Sequence, residues 1–241
     1  MDYHAVEETI KAGYREVSTR YRQDDEIEVT TPNHQRLGTT LQRLCSSFAF
    51  PISALEVGCG TGRHFHSLVN TAELTGVDIS DEMLKLAENP VRQEKITTKK
   101  ITLRRMNVYL TSFPPNSFDL IYSLGMFGNG CPVTVELCNK FFDWLKPGGK
   151  LLFNTPDVAG LPFSYRAKKN ARELIYPLLP RTMQQSLDER AAKHPFFGFT
   201  TRGLEDLLCQ TKFSKFEVKS HVCESPLWRG RHLECIASKV D

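Results

Sequence analysis

Three glycines within five residues are the feature of this sequence that points most clearly to chemistry. Gly58, Gly60 and Gly62 lie in the string EVGCGTG, directly after the apolar run 52–57. Glycine permits positive φ and lets a ligand approach the backbone, and N–H groups at the start of a helix attract anions. In an open α/β sheet such a turn lies at the carboxyl ends of the strands, where ligands bind. The spacing therefore predicts a cofactor site.

An acidic residue on the next predicted strand supports this interpretation. Asp78 ends the run ELTGVD, 20 residues after Gly58. A carboxylate at about this separation accepts hydrogen bonds from ribose hydroxyls. A dinucleotide fingerprint, Gly-x-Gly-x-x-Gly, would need its third glycine at position 63, where this chain has Arg63. The spacing disfavours a nucleotide-cofactor oxidoreductase, which stays as one alternative.

The segments that must position these residues alternate between short apolar runs and helical patterns. Such alternation predicts a parallel sheet with helices on both faces, and a directly joined closing pair requires an antiparallel strand. We therefore predict a Rossmann-like α/β fold with a seven-stranded, mostly parallel sheet and an antiparallel closing strand. The predicted strands are 52–57, 73–78, 101–106, 117–123, 150–156, 215–222 and 232–240, and the helices between them are 63–70, 80–89 and 134–145.

The first 50 residues are predicted to form a helical cover. Apolar residues at helical spacing indicate one helix over 4–21 and a second over about 33–48, and the polar string 21–35 indicates a bend between them. We expect a single domain, 1–241. Its predicted parts are the cover (1–50), a cofactor-binding core (52–155), a lid-like insertion (157–198) and a closing helix with a strand pair (199–241).

Composition narrows the function classes. A net charge of +3 is too small to indicate a nucleic-acid partner, and no apolar run is long enough to predict a membrane-spanning helix. The seven cysteines are scattered and form no Cys-x-x-Cys pair, which disfavours a disulfide framework and a metal site. We therefore expect reduced thiols in a cytoplasmic protein.

Several motifs in a fixed order resemble the class I S-adenosylmethionine (SAM)-dependent methyltransferase family. The resemblance covers roughly residues 52–155 and implies SAM as cofactor and methyl transfer as activity. A late string, FTTRGLEDLL at 199–208, is also similar to the family's late helix. The matching motifs are EVGCGTG at 56–62, GVDIS at 76–80, FDLI at 118–121 and LKPGGK at 145–150.

The resemblance assigns roles to single residues. The turn at 58–62 would hold the amino-acid end of SAM and Asp78 the ribose, with Ile79 against the adenine. Where the family often has Asp-Ala after the third strand, this chain has Asn107 and Val108; the amide oxygen still accepts a hydrogen bond, but the carboxylate is missing. The implied cofactor contacts are Tyr21, Glu56, Gly58, Cys59, Gly60, Gly62, Asp78, Ile79, Met83, Asn107, Val108 and Ser123.

Catalytic residues are harder to predict, because SAM carries its own electrophile and a base is needed only if the acceptor must lose a proton. His34, His64 and His194 are candidate bases, since imidazole titrates near neutral pH. His64 and His66, two residues apart on a predicted helix, are expected to face different ways. A non-catalytic SAM-binding or partner-binding module is the second alternative.

The insertion at 157–198 is longer than a simple connection requires, and it is rich in basic residues. In similar enzymes a segment here covers the acceptor. Arg166, Lys168 and Lys169 lead us to expect an acceptor that carries an anionic group or is delivered at a membrane surface; a helical insert with a solvated basic face is the alternative. The overall expectation is methyl transfer to a small-molecule or lipid-like acceptor, leaving S-adenosylhomocysteine.

Overall fold

One seven-stranded sheet organises the chain. The computed structural model describes residues 7, 8, 11, 20–128, 130–160, 175–184, 196–225 and 229–240. The strands are β1 (Ile52–Val57), β2 (Thr71–Asp78), β3 (Lys100–Arg105), β4 (Phe118–Ser123), β5 (Leu145–Pro156), β6 (Lys215–Glu224) and β7 (Arg229–Ser238).

The strand order is β3-β2-β1-β4-β5-β7-β6. Strands β1 to β5 pair in parallel, whereas β7 is antiparallel to both β5 and β6. This confirms the predicted mostly parallel sheet with its antiparallel closing strand. The order reverses between β1 and β4, so their connections leave in opposite directions and open a crevice at the carboxyl ends of these strands.

Helices cover both faces of this sheet, as predicted. Alternate residues of β1 point to opposite sides: Ile52 and Ala54 belong to one buried cluster, and Leu55 and Val57 belong to the other. The first cluster includes Leu41 of α2, and the second includes side chains of α4 and α5. The helices are α1 (20–28), α2 (Pro32–Ser46), α3 (Asp81–Ala87), α4 (Val135–Trp144) and α5 (Thr201–Leu208).

Side-chain caps fix where four of these helices begin. The hydroxyl groups of Thr31, Ser80, Thr134 and Thr200 each accept a hydrogen bond from the backbone N–H three residues further along. Each cap satisfies one of the N–H groups that a helix leaves without an internal partner. The cap at Ser80 matters for the site, because it fixes the start of α3 at Asp81, three residues after Asp78.

The predicted helix over 63–70 is wrong. Only a single 3₁₀ turn, Phe65–Ser67, forms between the glycine turn and β2. Gly62 (φ +75°) and Asn70 (φ +50°) have left-handed backbone conformations at the two ends of this stretch. An α-helix cannot extend through either residue, so the predicted helix can neither continue from the glycine turn nor reach residue 70.

The predicted polar bend over 21–35 is confined to residues 29–31, because α1 extends through residue 28 and α2 begins at Pro32. The last helical hydrogen bond of α1 joins the N–H of Val29 to the carbonyl of Asp25 at 3.0 Å. The prediction failed because it looked for apolar periodicity, whereas this helix directs charged side chains inward. The earlier predicted helix, 4–21, falls mostly outside the described residues, of which 7, 8, 11 and 20 are helical.

No helix within the described ranges has both the length and the apolar character needed to cross a membrane. The single-domain organisation stays a prediction. So does the lid-like insertion, because residues 161–174 and 185–195 lie outside the described part of the chain.

Candidate cofactor and acceptor site

A cavity of about 800 Å³ lies at the carboxyl ends of β1, β2 and β4 and continues to the β6–β7 hairpin. We call its two parts the cofactor half and the acceptor half. The cofactor half is lined by residues 58–61, Asp78, Ile79, Met83, Asn107 and Val108. The acceptor half is lined by Glu28, His34, Leu124, Met126, Pro156, Phe196, Cys223, Ser225 and His232.

The glycines of the turn serve different purposes. Gly60 has φ +52°, and a Cβ added there would meet no atom within 4 Å, so the backbone faces open space in the cavity. Gly62 has φ +75°, and its added Cβ would come within 2.5 Å of the Phe65 ring. Gly60 therefore leaves room for a ligand. Gly62 does not line the cavity, contrary to its predicted cofactor contact, and instead lets the turn pack on Phe65.

Asp78 lies beneath this turn with only 7% of its surface exposed. One carboxylate oxygen accepts from the Gly60 N–H at 2.9 Å, and the other accepts from the Ser80 N–H at 2.9 Å. Burial raises the pKa of Asp78, and the backbone N–H groups act in the opposite direction. These bonds hold the carboxylate in one orientation, and its remaining lone pairs suit ribose hydroxyls.

The end of the cavity beside Asn107 has a carboxylate that the sequence motif lacks. The Asn107 Nδ2 donates to Glu7 Oε2 at 2.8 Å, and its Oδ1 accepts from the Tyr109 N–H at 3.1 Å. Glu7 also lines the cavity. Burial opposes its ionisation, but hydrogen bonds from Lys11 and Asn107 lower the pKa of Glu7 below its ordinary value. Glu7 could not be recognised from the sequence, because no local motif connects it with a residue 100 positions away.

The floor of the cavity contains a buried acid. Glu56 is 1% exposed and accepts a hydrogen bond from the Tyr122 hydroxyl at 2.8 Å. Burial raises its pKa to about 8, so its side chain is mostly protonated at neutral pH. Ser123, a predicted cofactor contact, does not line the cavity; its hydroxyl donates to the Val57 carbonyl at 2.8 Å between β4 and β1. The cavity is lined by Leu124 instead.

Helix α1 turns an acidic face toward the cavity. Tyr21, Asp24, Asp25 and Glu28 follow the i, i+3, i+4, i+7 spacing of one helix face, and all four line the cavity. Asp25 is buried, accepts a hydrogen bond from the Thr61 hydroxyl, and lies 3.6 Å from the Arg63 guanidinium. Of these four residues, only Tyr21 was a predicted cofactor contact. The missed signal was helical periodicity carried by carboxylates rather than by apolar side chains.

Three histidines stack beside the glycine turn. The His34 ring lies 4.6 Å from that of His64 and 5.4 Å from that of His66, centroid to centroid. His64 and His66, which were expected to face different ways, both place their rings against that of His34. Burial lowers the pKa of His34 to about 3 and that of His64 well below its usual value.

Imidazoles with such low pKa values are neutral and hold an abstracted proton weakly. The low pKa values of His34 and His64 disfavour proton abstraction by either ring, and their candidacy as bases stays a prediction. His194 lies outside the described residues. Among the residues that are described, no group of three or more His, Cys, Asp or Glu side chains is arranged to hold a metal ion.

The sheet order, the open glycine turn and the buried carboxylate at the end of β2 are together typical of a nucleotide-type cofactor site in an α/β protein. Residues 54–149 match the family described as "Methyltransferase domain". This chain therefore carries a methyltransferase domain of the class I SAM-dependent type, and the cofactor of this class is SAM. The resemblance drawn from the motifs is confirmed, and the oxidoreductase alternative is set aside.

Two relatives with assigned names resemble this domain. A demethylmenaquinone methyltransferase of Lactiplantibacillus plantarum is 31% identical over 135 residues, which cover 54% of this chain and 55% of the relative. A ubiquinone biosynthesis O-methyltransferase of Nitrosospira multiformis is 30% identical over 129 residues, which cover 53% and 52%. The chain thus spans about half the length of these curated relatives.

A solved structure shows the same fold. The phosphoethanolamine N-methyltransferase 2 of Haemonchus contortus, in complex with phosphomonomethylethanolamine and S-adenosylhomocysteine, superposes with a TM-score of 0.61. The two chains share 17% identity, and the match covers 86% of this chain and 53% of the other. At this identity the likeness concerns the architecture alone.

Proposed function

We propose that this protein transfers the methyl group of SAM to a small-molecule or lipid-like acceptor and leaves S-adenosylhomocysteine. The observation that carries the proposal is the continuity of the cavity, from the glycine turn to the β6–β7 hairpin. Its volume is near the upper end of the roughly 300–1,000 Å³ typical of ligand pockets. Such a space suits a cofactor and an acceptor side by side.

The chain's own residues would mainly bind and align, because SAM supplies the reactive methyl group when it is bound. Gly60 would leave room for the amino-acid end, Asp78 would accept from the ribose, and Ile79 and Met83 would pack on the adenine. Glu7, held by Asn107, would supply the carboxylate for the adenine amino group. The hydrogen bonds at Asp78 and Asn107 support these roles, since they orient both groups before a ligand arrives.

Apolar walls support an aromatic or lipid-like acceptor. Leu124, Met126, Phe127, Pro156 and Phe196 all line the cavity. The named quinone methyltransferases among the relatives agree with this character. The predicted basic lid with Arg166, Lys168 and Lys169 lies outside the described residues, and an anionic acceptor or one delivered at a membrane surface stays a prediction from sequence.

We also propose a cytoplasmic location. All seven cysteines are free thiols, which suits a reducing compartment.

The test is methylation itself. The purified chain is incubated with SAM and a panel of soluble quinols, catechols and primary amines, and methylated products are identified by mass spectrometry with S-adenosylhomocysteine release measured in parallel. Gly60→Val serves as the inactive control. We expect stoichiometric product and S-adenosylhomocysteine for at least one acceptor class. SAM binding without methylation of any class would favour the non-catalytic binding module instead.

That second candidate draws its support from Asn107, which stands where the family often has an aspartate. The position of Glu7 weakens this argument, because the structure restores a carboxylate at the same end of the cavity.

A further inference from the structure

The loop that follows β4 is fixed at both of its ends. Gly125 (φ +85°) donates its N–H to the Asn154 side chain of β5 at 2.7 Å. Gly128 (φ +130°) accepts at its carbonyl from the Phe197 N–H at 2.8 Å. Both glycines have backbone conformations that other residues rarely adopt. The loop therefore has a defined course, and we call residues 124–128 the β4 loop.

The two residues between these glycines have different surroundings. Phe127 is buried in the core, and its ring lies edge-to-face with that of Phe153 at 5.5 Å between centroids. Met126 is half-buried and packs against the backbone of Gly58 in the glycine turn. A Cβ added to Gly58 would come within 2.6 Å of the Met126 Cγ and 2.8 Å of its Sδ. Phe127 thus anchors the β4 loop in the core, and Met126 extends from it onto the turn.

This contact closes one end of the glycine turn. Gly58 has φ +69°, and a side chain there would need the space that Met126 fills. Gly60, by contrast, faces open space. A methionine side chain is flexible, but here three of its consecutive atoms, Cβ, Cγ and Sδ, lie against the same glycine. Met126 lines the acceptor half and touches the turn of the cofactor half, so it lies at the border between them.

We propose that Met126 is a specificity-determining residue, which limits the transferable group of the cofactor to a methyl group. This inference rests on the proposed methyl transfer and specifies the sulfonium substituents that the site accepts. The sulfur of SAM joins the amino-acid end, the adenosyl group and the methyl group. With the first at the turn and the second toward Asp78, the third would be directed to the border where Met126 lies. An apolar side chain held in a densely packed wall leaves little room for an additional methylene there.

Two ligands of equal charge that differ by one methylene test the proposal. SAM carries a methyl group at its sulfonium sulfur, and S-adenosylethionine carries an ethyl group. Both are titrated calorimetrically into the chain without an acceptor. We expect S-adenosylethionine to bind about 10-fold or more weakly than SAM, because one excess methylene in a closed apolar site has an effect of about this size. Equal affinities for the two ligands overturn the proposal.

Variants of Met126 locate the effect. Met126→Ala removes the obstructing atoms and is expected to reduce the preference for SAM to about twofold. Met126→Leu keeps a similar volume and is expected to retain the preference. Met126→Val should give an intermediate preference, and it keeps the test available if the alanine variant does not fold. A preference for SAM that is unchanged in the alanine or valine variant shows that Met126 is not the determinant.

Met106→Ala is the matched control. Met106 is also half-buried, lines the same cavity and packs against the same core cluster, but it follows β3 and not β4. Its removal should leave the ratio of the SAM and S-adenosylethionine affinities unchanged. Equal loss of the preference in Met106→Ala and Met126→Ala would indicate a general loosening of the cavity, and it would overturn the role of Met126.

S-adenosylhomocysteine, which has no transferable group, separates the two proposals. Its affinity should stay within about threefold of the parent value in Met126→Ala, because nothing at its sulfur reaches the border. A parent chain that does not bind S-adenosylhomocysteine removes the proposed methyl transfer and the role of Met126 with it. A parent chain that binds it, but does not distinguish SAM from S-adenosylethionine, removes only the role of Met126.

Discussion

The two halves of the cavity are built from the chain in different ways. The cofactor half comes largely from consecutive strand ends, with the glycine turn after β1, Asp78 as the last residue of β2 and Asn107 after β3. The acceptor half joins α1 and α2 to residues of β5, β6 and β7, which are more than 100 positions away. Short motifs can encode the first half. The second half exists only once the sheet has brought distant segments together.

Because the cofactor half depends on exposed backbone, we expect ligand binding to be lost most completely when a side chain is added at the glycine turn. Gly60→Val places a β-branched side chain in the open space at φ +52°, so it both strains the turn and fills the ligand's position. We expect S-adenosylhomocysteine affinity to fall by about 100-fold or more, measured by calorimetry, since displaced backbone contacts cost several kcal/mol.

Gly148→Val is the matched control. Gly148 has φ +74° and equally open surroundings, but it does not line the cavity. Both variants should lose a comparable amount of stability, about 1–3 kcal/mol from backbone strain, while only Gly60→Val loses the ligand. Equal loss of ligand in both would mean that strain, and not the space at Gly60, is responsible.

A smaller effect is expected at the ribose position. Asp78→Asn removes the charge and one of the two acceptor oxygens that hold the Gly60 and Ser80 N–H groups. We expect S-adenosylhomocysteine to bind about 10- to 100-fold more weakly, which corresponds to about 1.5–3 kcal/mol for hydrogen bonds to a charged group. Asp81→Asn, at an exposed position on the next helix, should leave the affinity unchanged.

Gly60 and Asp78 also show how much of the site could be predicted from the sequence. The glycine turn, the strand with Asp78 and the sheet followed from short-range patterns of apolar residues and glycine. The acidic face of α1 could not be predicted in this way, because pattern rules assume that helices turn apolar faces inward. The contact between Glu7 and Asn107 could not be predicted either, because such rules do not describe contacts between residues 100 positions apart. Ser123 was misassigned for a related reason: its position at a strand end was right, but its hydroxyl bonds to Val57.

Stability should depend on pH through Glu56 in the floor of the cavity. The pKa of Glu56 is about 8 in the folded chain and near 4.5 in the unfolded chain. At pH values between these two, the folded chain therefore holds a proton that the unfolded chain has already lost. The free energy of unfolding should therefore fall as pH rises from about 5 to 8, by up to about 1.4 kcal/mol per pH unit.

Glu56→Gln cannot ionise and should flatten this dependence while keeping an acceptor for the Tyr122 hydroxyl. Urea unfolding at several pH values measures the slope. Glu88→Gln, on the exposed surface, should retain the parental slope. A slope that is identical in the parent and in Glu56→Gln would show that Glu56 is already ionised when folded.

The smallest effect on ligand affinity is expected at Glu7, which reaches the cofactor half from a segment distant in sequence. Glu7→Gln should weaken S-adenosylhomocysteine binding about three- to 10-fold, in line with one modest hydrogen bond. The parent should also prefer S-adenosylhomocysteine to its inosine analogue, which lacks the adenine amino donor, and Glu7→Gln should prefer it less. Glu8→Gln, which is exposed, is the control. Unchanged discrimination in Glu7→Gln would place the adenine elsewhere.

A crystal structure with S-adenosylhomocysteine tests the division into two halves most directly. The account predicts ribose hydroxyls within about 3.2 Å of Asp78, the amino-acid end against residues 58–61, and a sulfur atom that faces the acceptor half beside Met126. A ligand whose sulfur points away from the acceptor half, or whose ribose does not contact Asp78, would contradict it.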